Sequence, residues 1–124
     1  MTVQRILVNI ISDDLLVTCK FYEQLLDFER VYESDWFFNL KHSGACPVEI
    51  GIIKRGHEIA PATASGPPGG IYLTLVVDDV ASSATKAKAL GARIISEPTD
   101  TFYGQRRMLL LDPDGNTLDI SSVQ

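Results

Sequence analysis

Residues 105–122, QRRMLLLDPDGNTLDISS, decide how the second half of the chain folds. Two strand-like runs, Gln105 to Leu111 and Thr117 to Ser122, flank an Asp-Pro-Asp-Gly-Asn segment. Proline presets the second position of a tight turn, and glycine accepts the positive φ that closes it. The stretch therefore predicts two antiparallel strands joined by a hairpin turn.

A strand, a helix and a further strand are predicted upstream of this hairpin. IYLTLVV, residues 71–77, is an apolar run, and apolar residues then recur every three to four positions. This pattern predicts a helix from Asp79, its capping residue, to Leu90, and a strand from Arg93 to Ser96. With the hairpin, residues 71–124 form a βαβββ module.

The first half of the chain, residues 1–54, carries the same order of signals. ILVNIIS, residues 6–12, predicts a strand, and the apolar spacing after it predicts a helix from Asp14 to Leu26. Turn-like residues separate three further predicted strands: Arg30 to Glu33, Trp36 to Leu40, and Val48 to Ile53. Residues 55–70, rich in Gly and Pro, are predicted to link the two modules.

Composition restricts the possible functions. A chain of 124 residues that is 45% hydrophobic suits one globular domain with its own core. Its formal net charge of −5 disfavours contact with phosphate backbones, so no nucleic-acid partner is predicted. The first apolar run is too short for a bilayer span and no targeting signal is recognised. We therefore predict a cytoplasmic protein without a membrane partner, in which Cys19 and Cys46 stay reduced.

Three stretches of the chain resemble the vicinal oxygen chelate superfamily, which includes glyoxalase I, bleomycin-resistance proteins, fosfomycin-resistance enzymes and extradiol dioxygenases. They are SDDLLVTCKFYEQLLDFE (12–29), VVDDVASSATKAKALGARIISEP (76–98) and FYGQRRMLLLDPDGNTLDIS (102–121). The resemblance implies an α+β fold in which two βαβββ modules form a curved mixed sheet around a cavity. Members share this glyoxalase/bleomycin-resistance fold but differ in chemistry, so the fold alone does not assign a function.

The resemblance also implies four positions at which metal-dependent members hold a cation. They fall on Leu7 and Tyr72 in the first strands of the modules, and on Glu49 and Asp119 in the last strands. Two carboxylates without a nitrogen or sulfur donor make a weak site for zinc, iron or nickel. We therefore predict neither a metal nor another cofactor, with a weakly held divalent metal as the less favoured alternative.

Charged residues near these positions have two interpretations each. Glu49 is either a solvated residue at the sheet margin or a buried carboxylate with a raised pKa that acts as a general base. Asp119 either has a similar role or is hydrogen-bonded to the neighbouring turn or to an arginine. Because side chains alternate along a strand, only one of Arg106 and Arg107 can face the cavity, where it could bind an anion or pair with a carboxylate.

Aromatic residues complete the predicted ligand site. Trp36 and Phe38 alternate with Phe37, so that strand has an aromatic face that belongs either to the core or to the wall of a planar-ligand site. His42 and His57 are interpreted as exposed loop residues. Glu49 is the catalytic candidate, and the predicted ligand-binding residues are Leu7, Asn9, Trp36, Phe38, Tyr72, Tyr103, Arg106, Arg107 and Asp119.

Three functions fit these features. The first is a metal-independent protein that binds a small, partly aromatic molecule in the cavity. The second is a glyoxalase-like lyase, isomerase or dioxygenase with Glu49 as base and a metal that is absent or loosely held. The third is a domain that dimerises and binds no ligand. The missing imidazoles favour the first.

We predict a homodimer, because an open sheet edge leaves unpaired strand groups that another chain can cover. Light scattering at micromolar concentration should therefore report about twice the monomer mass of 13.6 kDa. A single species of 13.6 kDa would contradict this prediction.

Overall fold

The computed structural model describes residues 1–44 and 47–123, and it has the predicted α+β architecture. The chain divides into two compact units, Met1–Gly66 and Pro67–Gln124, whose boundary lies within the predicted linker. Each unit is a βαβββ module with a four-stranded mixed sheet, which confirms the predicted fold class. We call these units the first and second modules.

The first module contains one helix and four strands. The sheet has the order β1-β4-β3-β2, with β1 parallel to β4 and the other neighbours antiparallel. A short 3-10 helix, Ala62–Ala64, lies in the predicted linker. The elements are β1 Val8–Ser12, α1 Leu15–Leu26, β2 Phe28–Glu33, β3 Phe37–His42 and β4 Val48–Lys54.

The second module repeats this topology with the strand order β5-β8-β7-β6. Strand β6 continues four residues beyond the predicted end at Ser96, past Pro98, where the register with β7 shifts. Proline lacks the N–H that a central strand needs, but the edge position of β6 tolerates it. The elements are β5 Leu73–Val76, α2 Val80–Ala89, β6 Arg93–Asp100, β7 Gln105–Leu111 and β8 Thr117–Val123.

Both helices begin after the aspartates that were predicted to cap them. The side chain of Asp14 accepts a hydrogen bond from the backbone N–H of Val17, and Asp79 accepts one from that of Ser82. Each cap satisfies an N–H group that has no partner within the first helical turn. The local sequence therefore sets where each chain segment turns from strand into helix.

One face of each sheet packs against the helix of its own module. Leu40, Ile50 and Ile52 are buried on this side of the first sheet, where the Ser12 hydroxyl contacts the hydroxyl of Thr18 on α1. The second sheet buries a matching set beside α2, namely Met108, Leu110, Leu118 and Ile120. Because side chains alternate, the residues between these positions lie on the opposite side. We call that side the helix-free face of each sheet.

Among the residues that the structure describes, no helix is long and apolar enough to cross a membrane.

Cys19 is fully buried in α1. Burial, with a smaller contribution from the Glu23 carboxylate, raises the pKa of its thiol to about 11. The thiolate is the reactive form of cysteine, so this thiol is chemically protected in the native protein. Cys46, which was also predicted to stay reduced, lies outside the described residues.

We expect Cys19 in a Cys46→Ser variant to resist alkylation by iodoacetamide at about pH 8, where an accessible cysteine reacts readily. The same variant should be alkylated rapidly in denaturant, as followed by intact mass. Native labelling as fast as that of the denatured chain would show that the helix does not protect Cys19.

Candidate functional site

The helix-free face of the first sheet is polar along its centre. The strand register places Asn9, Gly51 and Asn39 side by side across β1, β4 and β3. Glu49 lies two residues before Gly51 on β4, on the same face of the sheet, and is directly opposite Lys41 on β3. Together these residues form a polar floor on one side of the sheet.

Glu49 is bound at both of its oxygens by an arginine from the segment before β1. The Nε atom of Arg5 lies 2.5 Å from Oε2, and Nη2 lies 2.6 Å from Oε1. The Nζ atom of Lys41 lies 3.9 Å from Oε1. The side chain of Glu49 is only 13% exposed, whereas those of Arg5 and Lys41 are 58% and 57% exposed. The two cations therefore cover a carboxylate that lies beneath them.

This arrangement lowers the pKa of Glu49 from its ordinary value. The hydrogen bond from Arg5 outweighs the opposing effect of burial, and the positive charges of Arg5 and Lys41 act in the same direction as the hydrogen bond. Of the two interpretations of Glu49, the buried carboxylate with a raised pKa does not agree with this lowered pKa. A carboxylate held in its ionised form by two cations is a weak general base.

Gly51 makes space for two side chains on the helix-free face. A Cβ atom at this position would lie 2.1 Å from Oδ1 of Asn9 and 2.8 Å from a ring carbon of Phe37. Real Cβ atoms essentially never show such short contacts, so a side chain at this position would displace Asn9 and Phe37. Beside them, Oδ1 of Asn39 is buried without a hydrogen-bond partner among the described residues.

Phe37, not Phe38, is the aromatic residue that β3 places on the helix-free face. Phe38 is buried on the helix side, where the guanidinium of Arg30 lies 5.2 Å from its ring centroid. Arg30 in turn binds Glu23 of α1, at 2.9 Å. The predicted ligand-binding residue Phe38 is therefore part of the core.

Trp36 contacts a residue of the linker. Its indole stacks on the imidazole of His57, with ring centroids 4.1 Å apart and planes 6° from parallel. The backbone N–H of Ile59 donates a hydrogen bond to Nδ1 of His57, which fixes the ring orientation. His57 thus packs against an aromatic ring and is half-buried, whereas an exposed loop residue was predicted.

The helix-free face of the second sheet is centred on Asp119. This residue is buried, and its Oδ2 atom accepts a hydrogen bond from Oγ1 of Thr74 at 3.1 Å. The Nε atom of Arg107 lies 3.2 Å from the same oxygen. Burial lowers the pKa of Arg107, but the Asp119 carboxylate outweighs this effect, helped by the nearby Tyr103 and Tyr72, and the pKa is raised.

The two arginines of β7 point to opposite sides of the sheet. Arg107 lies on the face of Asp119, whereas Arg106 pairs with the exposed Asp100 on the other side, at 2.8 Å. Oδ1 of Asp119, Nε of Arg107 and Oγ of Ser121 are buried without a hydrogen-bond partner among the described residues. The Arg107–Asp119 contact is thus an ion pair without hydrogen-bond alignment.

Tyr72 lies at a cleft of about 330 Å³ within the second module. The cleft is bounded by residues 68–72 and by Gly115 and Thr117 of the predicted hairpin. Tyr72 and Tyr103 are both about half exposed. Leu7, in the segment before β1, is half-buried.

The side chains at the four positions implied for a metal do not form a transition-metal site. Leu7 has no donor atom, and both oxygens of Glu49 already accept N–H groups from Arg5. In the described ranges, residues 1–44 and 47–123, no three His, Cys, Asp or Glu side chains are grouped so that they could hold a metal ion. The residues present therefore do not fit a bound zinc, iron or nickel ion.

Comparison with known proteins identifies the family. The model of the Glyoxalase/Bleomycin resistance protein/Dioxygenase superfamily matches residues 4–120. The chain belongs to this superfamily. Its members bind small molecules. No curated protein matches the chain.

Solved structures share the fold of this superfamily member. A glyoxalase/bleomycin resistance protein/dioxygenase family enzyme from Burkholderia phytofirmans PsJN is 28% identical, with a TM-score of 0.82 over 95% of this chain and 97% of that chain. A hypothetical protein from S. aureus is 20% identical, with a TM-score of 0.82 over 98% and 95% of the two chains. TioX from Micromonospora sp. ML1 is 17% identical, with a TM-score of 0.72 over 98% and 97%.

Several residues of both helix-free faces were not predicted from the sequence. Arg5 continues the alternation of Leu7 and Asn9 toward the N-terminus, and this pattern could have placed it beside Glu49. Placing Lys41 and Asn39 beside Glu49 and Gly51 requires the β3–β4 register, which the sequence alone left open. Ser121 is two residues after Asp119 and could have been assigned to the same face by alternation.

The Arg5–Glu49 pair predicts a pH dependence of stability. Because the pKa of Glu49 in the folded protein lies below its ordinary value of 4.5, the pair stabilises the fold above this value. The contribution is lost as the pH falls through the lower folded pKa. Between about pH 6 and about pH 3, the melting temperature of the native protein should therefore fall further than that of a Glu49→Gln variant.

Glu29→Gln is the matched control, since Glu29 is an exposed glutamate on the same sheet. Its melting temperature should follow that of the native protein across the pH range. Parallel curves for the native protein and Glu49→Gln would show that the pair does not contribute to stability.

Proposed function

We propose that this member of the superfamily is a metal-independent protein that binds a small, partly aromatic molecule on the helix-free face of its sheets. One observation carries the proposal. Both carboxylates at the implied metal positions are already paired with arginines, Glu49 with Arg5 and Asp119 with Arg107. A guanidinium thus supplies the positive charge that a metal ion supplies in metal-dependent members.

The helix-free face of the first sheet has the chemistry of a small-molecule site. Such sites combine apolar or aromatic walls with a few polar groups that orient the ligand. The Phe37 ring supplies an apolar surface beside Asn9, and Asn39 has one buried acceptor without a partner in the part of the chain that the structure describes. These features support binding of a planar ligand that also makes hydrogen bonds.

An alternative is a glyoxalase-like lyase, isomerase or dioxygenase in which Glu49 is the base and a divalent metal is weakly held. Glu49 would first have to separate from Arg5, because the pairing with Arg5 lowers its pKa and makes proton abstraction unfavourable near neutral pH. The contacts of Glu49 therefore favour binding over catalysis. A cytoplasmic homodimer without nucleic-acid or membrane partners stays part of this proposal.

Metal analysis and ligand binding test the proposal together. Protein purified without a chelator should contain only substoichiometric zinc, nickel and iron, and added EDTA should leave its melting temperature unchanged. Small aromatic compounds that bind the native state should raise the melting temperature with increasing concentration. Stoichiometric metal that is lost in Glu49→Gln or Asp119→Asn variants would favour the enzyme alternative.

A further inference from the structure

Two exposed cations lie at the polar floor of the first module, Lys41 on β3 and Arg5 in the segment before β1. Glu49 lies beneath both of them and Glu29 lies opposite Lys41 on β2, so this face carries two positive and two negative charges. These four charges sum to zero, whereas the whole chain has a net charge of −5. Exposed cations on one face of an acidic protein attract an anionic ligand to that face.

Both cations are accessible to a ligand. Their side chains are more than half exposed, whereas Glu49 is largely buried beneath them. A guanidinium has more N–H donors than the two that Glu49 accepts from Arg5. Within the described residues, Nη1 of Arg5 has no hydrogen-bond partner. The outer edge of the guanidinium is therefore free to donate to a second anion.

The neighbouring residues indicate the form of that anion. A planar guanidinium edge matches the two oxygens of a carboxylate, which it binds through two parallel hydrogen bonds. The next helix-free position along β4 after Glu49 is Gly51, about 7 Å away. The Phe37 ring covers Gly51. This separation is close to the length of a benzene ring that carries a carboxylate.

We propose that the helix-free face of the first module binds the carboxylate of a small aromatic acid. Arg5 and Lys41 receive the carboxylate, and the Phe37 ring packs against the ring of the ligand. This inference rests on the proposed function and narrows it, because it assigns the ligand a negative charge and names the module that binds it.

Three compounds of nearly identical shape test whether the site prefers a negatively charged ligand. Benzoate is an anion, benzamide is neutral and benzamidine is a cation. Each is titrated into ¹⁵N-labelled protein while the backbone amide resonances are recorded. Benzoate should bind at least about tenfold more tightly than the other two, since a charged hydrogen bond to a guanidinium is worth more than a neutral one. The perturbed amides should include those of Lys41, Glu49 and Gly51.

Two variants test the residues. Arg5→Gln and Lys41→Gln should each weaken benzoate binding by about tenfold, because each removes one charge from the floor. The matched control is Arg55→Gln, since Arg55 belongs to the same module but pairs with Asp13. It should bind benzoate as the native protein does. The dispersion of the amide spectra reports whether each variant is folded.

The outcomes separate this inference from the proposed function. Benzamide or benzamidine binding as tightly as benzoate would overturn the inference and leave small-molecule binding intact. Benzoate binding that persists in both folded variants, or that perturbs only the second module, would overturn it as well. If none of the three compounds perturbs either module, both proposals fail.

Discussion

Side chains alternate between the two faces of every strand, and in each module the helix covers one of these faces. The apolar residues of β3, β4, β7 and β8 occupy the covered face because their burial drives folding. The polar residues between them are thereby directed to the opposite face. Asn39, Glu49 and Gly51 meet on the first sheet for this reason, and Arg107, Asp119 and Ser121 meet on the second.

A largely buried carboxylate is costly unless a positive charge or hydrogen-bond donors accompany it. The two modules meet this requirement in similar ways but with arginines from different positions. Arg5 precedes the first strand of its module, whereas Arg107 lies on the strand next to Asp119. Pairing of this kind removes the negative charge that would attract a metal ion. The superfamily fold is therefore kept while the implied metal positions acquire a different chemistry.

Much of the fold was predictable because its signals are local. Aspartate caps, the Asp-Pro-Asp-Gly-Asn turn and the apolar spacing of both helices gave most element bounds within one or two residues. The predicted end of β6 was wrong because proline usually ends a strand. Strand β6 continues past Pro98 because it lies at the edge of its sheet. Three consecutive aromatic residues do not indicate which of them faces the helix. Phe38 was therefore assigned to the ligand site, although Phe37 occupies the helix-free face.

The sequence by itself determined the two modules, the family and the absence of imidazole at the implied metal positions, since each follows from the order and identity of residues along the chain. Only the tertiary structure decided the charge state and partners of Glu49. Arg5 and Glu49 are 44 residues apart in sequence, and they meet because β1 pairs in parallel with β4. Local patterns do not encode such a pairing, because parallel neighbours are joined through other elements and their register depends on how the whole sheet packs.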